Sequence, residues 1–170
     1  MTTNSNSTRI EPNGDIVFTR VFDAPRELVW KAWTEPEHLM RWWGPETFTS
    51  PAAKIDLRVG GKYHFAMRSQ EGQDFWSTGT FREISPIERL VMTDAFSNEQ
   101  GEIVSPSEHG VPAEAPSEFL FTLTFEDLGG KTRMTLVYSG MPAGEMRDMT
   151  IQGMNSSLDK LAESLKQPQR

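Results

Sequence analysis

The chain contains no cysteine. Disulfides, thiolate metal sites and thiol nucleophiles are excluded at once. Histidine is nearly as scarce. His38, His64 and His109 lie far apart, no H-E-x-x-H spacing joins any two of them, and no metal centre or cofactor is expected. No apolar run approaches the roughly 18 residues of a membrane span. The opening MTTNSNSTRIEPNGD has none of the apolar character of a secretory signal. A cytoplasmic protein without membrane insertion is the expectation. Positive charge is in deficit, with 17 Lys and Arg against 24 Asp and Glu. A surface of that sign repels phosphate backbones, so no nucleic-acid partner is expected. There is no G-x-S-x-G. The GGKT at 129–132 lacks the earlier glycine of a phosphate loop, because that position is Phe125, and it reads as a hairpin turn.

Aromatic surface is abundant in one place. FDAPRELVWKAWTEPEHLMRWWGP, residues 22–45, holds four of the five tryptophans: Trp30, Trp33, Trp42 and Trp43. Pro25 suits a first helical position and Glu27 the positive end of a helix. Leu28, Val29, Ala32 and Trp33 then recur at helical spacing. Thr34 and Glu37 form a capping-box pattern that predicts a second, short helix ending at Gly44-Pro45. Two short helices meeting a sheet leave irregular gaps, which large flat rings fill. Trp33 and Trp43 are expected in the core; Trp30 and Trp42 lie off the main stripes, between core and surface.

Seven strands are predicted, at 14–22, 48–57, 62–68, 75–84, 88–96, 118–127 and 131–139. Short connectors rich in Gly, Pro and Ser make consecutive strands antiparallel neighbours. Period-2 alternation puts Tyr63, Phe65 and Met67 on one face, with Phe119, Phe121, Leu123 and Phe125 and with Met134, Leu136 and Tyr138 as further inward sets. Gly79 suggests a bend or bulge. One long helix, 143–166, closes the chain. Its last turns are Leu-rich, whereas its first offer Met146, Met149, Thr150, Gly153 and Met154. A mid-helix glycine costs about 1 kcal/mol against alanine. Close packing accounts for it, or room for a ligand. The result is an α+β domain over residues 10–167: a curved seven-stranded antiparallel sheet wrapped around a long C-terminal helix, with two short helices after the first strand and a disordered tail at 1–9. The long acidic segment 97–118 reads as a lid or as disorder.

These stretches resemble a family. FDAPRELVWKAWTEPEHLMRWWGP, IDLRVGGKYHFAMR, GTFREISPIERLVMTDAF, GKTRMTLVYSG and SSLDKLAESL are similar, in order from about 14 to 166, to the START-like (helix-grip, pollen-allergen-type) superfamily. Within it they most resemble the branch named after the C-terminal domain of the heat-shock protein 90 ATPase activator. The resemblance implies a sheet gripping the last helix with a cavity between them. Met154 stands where many members carry an aromatic residue, usually Trp, so no relative's ligand transfers directly.

Three functions follow as expectations. The first is a binding protein for a small, mostly apolar molecule. Its pocket would be lined by Tyr63, Phe65, Trp76, Phe81, Met92, Phe121, Met134, Met149, Gly153 and Met154, with Trp76 equally open to covering the sheet's outer face. The second is a cavity enzyme of cyclase or hydrolase type, which the superfamily includes, with Asp94, His64 and Arg68 as acid–base candidates. Asp94 shares strand parity with Leu90, Met92 and Phe96; if these face inward, burial raises its pKa. His64 alternates with the apolar set and is expected outside with Arg68. Asp56 and Arg58 read as a structural pair. The third is a protein-interaction domain with a chaperone partner, which needs an exposed apolar patch near Trp30, Trp42 or segment 97–118.

Overall fold

The computed structural model describes residues 6–105 and 118–166. Most of the acidic segment, 106–117, therefore lies outside the described residues, as do 1–5 and 167–170. In chain order the elements are β1 (Ser7–Ile10), β2 (Ile16–Phe22), α1 (Arg26–Thr34), α2 (Pro36–Leu39), β3 (Thr49–Ile55), β4 (Lys62–Arg68), β5 (Asp74–Ser85), β6 (Arg89–Ser97), β7 (Phe119–Asp127), β8 (Thr132–Ser139) and α3 (Glu145–Ser164). The strands form one curved antiparallel sheet in the order β1-β2-β8-β7-β6-β5-β4-β3.

Eight strands stand where seven were expected. The additional one, β1, falls in the stretch read as a disordered tail. It has no apolar alternation to announce it and is held by its backbone: Ser7 pairs with Thr19 and Ile10 with Ile16. The Val21 amide donates to the Asn6 side chain (3.0 Å), which extends the same edge. The Asn155 side chain of α3 adds a bond to the Thr8 hydroxyl (3.1 Å), and a strand ordered by such polar contacts leaves no hydrophobic signature.

The helix boundary near Thr34 also differs. Thr34 ends α1, and its hydroxyl donates to the Trp30 carbonyl (2.8 Å) rather than capping α2. Glu35 takes the N-cap place with an extended backbone and Pro36 opens α2. Proline forces the residue before it out of helical conformation, so the break falls at 35.

The tryptophans join α1, α2 and the sheet. Trp33 and Trp42 meet edge to face at 4.7 Å, Trp42 and Trp43 at 5.6 Å, and Trp43 and Phe65 at 5.0 Å. Trp42 is fully buried, and its indole N–H donates to the Ala32 carbonyl (3.0 Å). Trp43 keeps part of its ring uncovered, and so does Trp30, whose ring meets Phe125 at 5.8 Å. The expected order of Trp42 and Trp43 is thus reversed. A four-residue helix sets too few periods for a stripe to be read from sequence.

α3 lies across the sheet and its two halves differ. Its buried residues, Ser157, Leu158, Leu161 and Ser164, all fall in the second half. That half is fixed by Arg20 of β2, which is buried and donates to Asp159 (2.8 Å) and to the Asn155 carbonyl (3.0 Å). In the first half Met146, Thr150 and Met154 are only partly covered and Met149 is 60% exposed.

Candidate functional site

Where α3 stops filling the sheet's concavity, a cavity remains. It has two lobes of about 380 Å³ each, which share Trp43, Phe48, Met67, Asp94, Phe96 and Met149 as walls. One lobe runs along the sheet to Phe75 and Ser77 of β5. The other reaches under α3, where Phe121 and Tyr138 of the sheet face Met146, Thr150, Gly153 and Met154. Each lobe lies in the size range of small-molecule sites. Side chains at the first turns of α3 are flexible methionines or a bare glycine; Met146 and Met154 touch the core but leave space between helix and strands.

The rim is built rather than loose. Residues 44–48, leading from α2 to β3, are clipped to α3 by Lys160. Its ammonium donates to the carbonyls of Gly44 (3.0 Å), Pro45 (3.1 Å) and Phe48 (2.9 Å). Partial burial there holds the Lys160 pKa below its ordinary value. The Glu46 amide adds a bond to Ser156 Oγ (2.7 Å).

Asp94 sits on the cavity wall in both lobes and is the only charged residue among their lining residues. One of its oxygens is 2.8 Å from the Tyr63 hydroxyl, the other 3.2 Å from the Tyr138 hydroxyl. Burial raises its carboxyl to about 6, and hydrogen bonds from Tyr63 and Tyr138 only partly oppose that rise. Both phenols are pushed well above their ordinary range, first by burial and then by the facing carboxylate. The Tyr63 hydroxyl also lies 2.7 Å from the Thr93 carbonyl. A phenol has one proton to donate. Both contacts are satisfied together when Asp94 is protonated and donates to Tyr63, whose own proton then goes to Thr93.

Gly79 makes this cluster possible. It pairs with Tyr63 across β4 and β5, and the Tyr63 ring lies over it. A Cβ at residue 79 would run into the Thr93 carbonyl and Tyr63 Cε2. The sheet irregularity itself falls two residues later, between Phe81 and Glu83, so close approach and not a bulge explains this glycine.

The residues proposed from sequence separate into three groups. Phe121, Met149, Gly153 and Met154 line the cavity. Phe65, Phe81, Met92 and Met134 are closed off in the core behind it, and Tyr63 touches it only through Asp94. They share the inward face, but neighbouring rings cover them: Phe65 and Phe81 pack on Tyr63 at 4.4 Å and 5.9 Å. Trp76 contributes to one lobe's wall, but its ring lies on the opposite face, stacked on His64 at 4.5 Å. His64 meets the Asn98 carbonyl (3.1 Å), and Arg68 forms a two-bond pair with Asp74 on the same outer face. Strand alternation therefore keeps His64 and Arg68 apart from Asp94, and the three-residue acid–base set is not assembled. Asp56 and Arg58 pair at 2.8 Å on the surface. Among the described residues no group of three His, Asp or Glu is placed to hold a metal.

Sequence reasoning missed Trp43, Phe48, Met67, Phe96 and Tyr138 as lining residues. Met67, Phe96 and Tyr138 carried the right strand parity and were available to it. Phe48 lies in the rim, outside any periodic element.

Gly153 offers a direct check on this packing. A Cβ there meets only Pro45 Cγ, at an ordinary 3.6 Å. Gly153→Ala is expected to raise unfolding free energy by about 1 kcal/mol, the helix-propensity gain. Urea denaturation measures it; a loss of stability would show that the helix lies closer to the rim.

The sequence matches, over residues 23–166, the family described as Activator of Hsp90 ATPase homolog 1-like protein. The chain belongs to that family. Its members share the START-like helix-grip architecture, as expected. Solved structures agree along nearly the whole chain. A protein from Chromobacterium violaceum is 28% identical with a TM-score of 0.75, covering 93% of this chain and 100% of the other. One from Arthrobacter aurescens is 25% identical with a TM-score of 0.79, covering 95% and 92%. The AHSA1 protein from Silicibacter pomeroyi, at 24% identity and a TM-score of 0.72 over 90% and 98%, shares the fold. No curated protein matches the sequence. No helix among the described residues is long and apolar enough to cross a membrane.

Proposed function

We propose that this AHSA1-like protein binds a small, mostly apolar molecule between the sheet and the first half of α3. The carrying observation is the two-lobed cavity, walled by aromatic and methionine side chains with Asp94 as its one charged group. The helix that should plug this space is furnished there with Met, Thr and Gly. Such a wall attracts apolar surface non-directionally, while a single polar group sets orientation.

Thermal unfolding against a panel of lipids, aromatic compounds and polyketide-like molecules tests this. A ligand at about a hundred times its Kd should raise Tm by roughly 5 °C. No shift across the panel would remove the proposal's support.

An acid–base role for Asp94 is the second reading, favoured by its contact with Tyr138 on the same wall. A carboxyl titrating near the working pH suits proton transfer. This reading requires turnover of a bound compound that Asp94→Asn abolishes without loss of binding. A chaperone partnership rests on the family description alone. The described surface lends it less support: Trp42 is buried, and of the exposed large apolar residues only Leu57 and Val59 share a turn, while Ile10, Ile103 (in segment 97–118), Leu128 and Met149 lie on separate elements or turns.

A further inference from the structure

The geometry points to a ligand class: we infer that the cavity selects an apolar molecule carrying a protonated amine and discriminates against the carboxylic acid of the same shape. This rests on the binding reading above and narrows it.

Four observations carry it. First, the cavity walls contain one carboxylate and no lysine, arginine or histidine. An anionic head group would sit against an apolar wall beside a like charge, with no counter-ion among the lining residues. Segment 106–117, whatever its placement, contains no lysine or arginine either.

Second, the carboxylate is not used up. An ionised carboxylate offers about four lone-pair sites. Tyr63 and Tyr138 engage one site on each oxygen. The remainder accept N–H donors from a ligand, and a charge-assisted bond of this kind is about twice as strong as a neutral one.

Third, two of the nearby cations, Lys160 and Arg20, are committed elsewhere. Lys160 spends its three donors on the carbonyls of Gly44, Pro45 and Phe48. Arg20 is held by Asp159 and Asn155. Arg147 neighbours Met146 on α3 but is not a lining residue; its Nε is buried without a hydrogen-bond partner among the described residues.

Fourth, aromatic side chains line the lobe that holds the carboxylate. Trp43, Phe48, Phe96 and Tyr138 share the lobe with Asp94. Aromatic faces attract an organic cation and do nothing comparable for an anion. A carboxylate on an aromatic-lined wall thus matches an ammonium head on an apolar body.

The experiment compares 4-phenylbutylamine, 4-phenylbutan-1-ol and 4-phenylbutanoic acid by calorimetric titration at about pH 8 and about pH 5. The groups facing Asp94 are Tyr63 from β4 and Tyr138 from β8, both neutral throughout that range; α3 and β7 present no titratable lining group. At about pH 8 the amine should bind about ten-fold more tightly than the alcohol, with the acid weakest. At about pH 5, where Asp94 is mostly protonated, the amine's advantage should shrink, with alcohol binding changing less than amine binding. Asp94→Asn should remove the advantage at both pH values. If that variant does not fold, the pH arm on the native chain decides alone.

Binding of the acid as tightly as the amine overturns the inference and directs attention to Arg147. Equal binding of amine and alcohol overturns the selectivity but leaves the apolar cavity reading standing. Failure of all three to bind, while some other apolar compound in the panel raises Tm, overturns this inference alone. Failure of every compound overturns both.

Discussion

Gly79→Ala should destabilise the protein by about 3 kcal/mol, near the upper end for an added methyl in a packed interior. The added Cβ meets the Thr93 carbonyl, which is strand backbone, as well as the Tyr63 ring. Flexible neighbours relieve a clash cheaply; a carbonyl between two paired strands does not. Either β5 separates from β6 or the Tyr63 ring lifts away. In the second case its hydroxyl leaves both Thr93 and Asp94, so the damage spreads into the cavity cluster. Urea denaturation, with Gly153→Ala as the opposite-sign control, measures the effect. A change smaller than about 1 kcal/mol would mean that the Tyr63 ring does not lie against this glycine.

The second large effect depends on pH. Burial raises the Asp94 carboxyl from an ordinary 3.8 to about 6 in the folded protein. A carboxyl whose folded pKa is raised binds its proton more tightly when folded. Its contribution to stability is complete below about pH 4 and is lost as pH rises through about 6. The span is worth about 3 kcal/mol. Asp94→Asn keeps the shape of the protonated acid without the charge. It should match the native chain near pH 4 and exceed its stability by about 3 kcal/mol near pH 8. Other titrating groups are common to both proteins, so the difference between the two unfolding curves isolates Asp94. A variant less stable than the native chain at high pH would show that Tyr63 and Tyr138 compensate the charge fully. An ionised carboxylate left crowded in the cavity is what the amine proposal needs: a buried charge short of partners is relieved by a ligand that supplies one.

Much of this was legible in the chain. Alternation at 62–68 and 118–125 showed which strand face turns inward and kept His64 and Arg68 outside, while Asp94 was legible only as sharing parity with Leu90, Met92 and Phe96, its burial left conditional. The contrast between LDKLAESL and the Met- and Gly-bearing turns before it marked which half of α3 would pack closely. Both signals are local: a side chain's direction on a strand or helix follows from its position alone.

β1 was not legible, because its order comes from hydrogen bonding to β2 across a turn and from Thr8 to Asn155 of α3, not from apolar side chains of its own. The exchange between Trp42 and Trp43 was hidden by a helix too short to show a period.

By itself, the sequence determined the family architecture, the inward strand faces and the contrast between the two halves of the last helix. Only the tertiary structure decided that Tyr63, Asp94 and Tyr138 meet. They come from β4, β6 and β8, no two of which are adjacent in the sheet. Their meeting depends on the curve of the strands and on a bare glycine beneath one ring. Such convergence comes from long-range packing, which no pattern along the chain encodes at a single site.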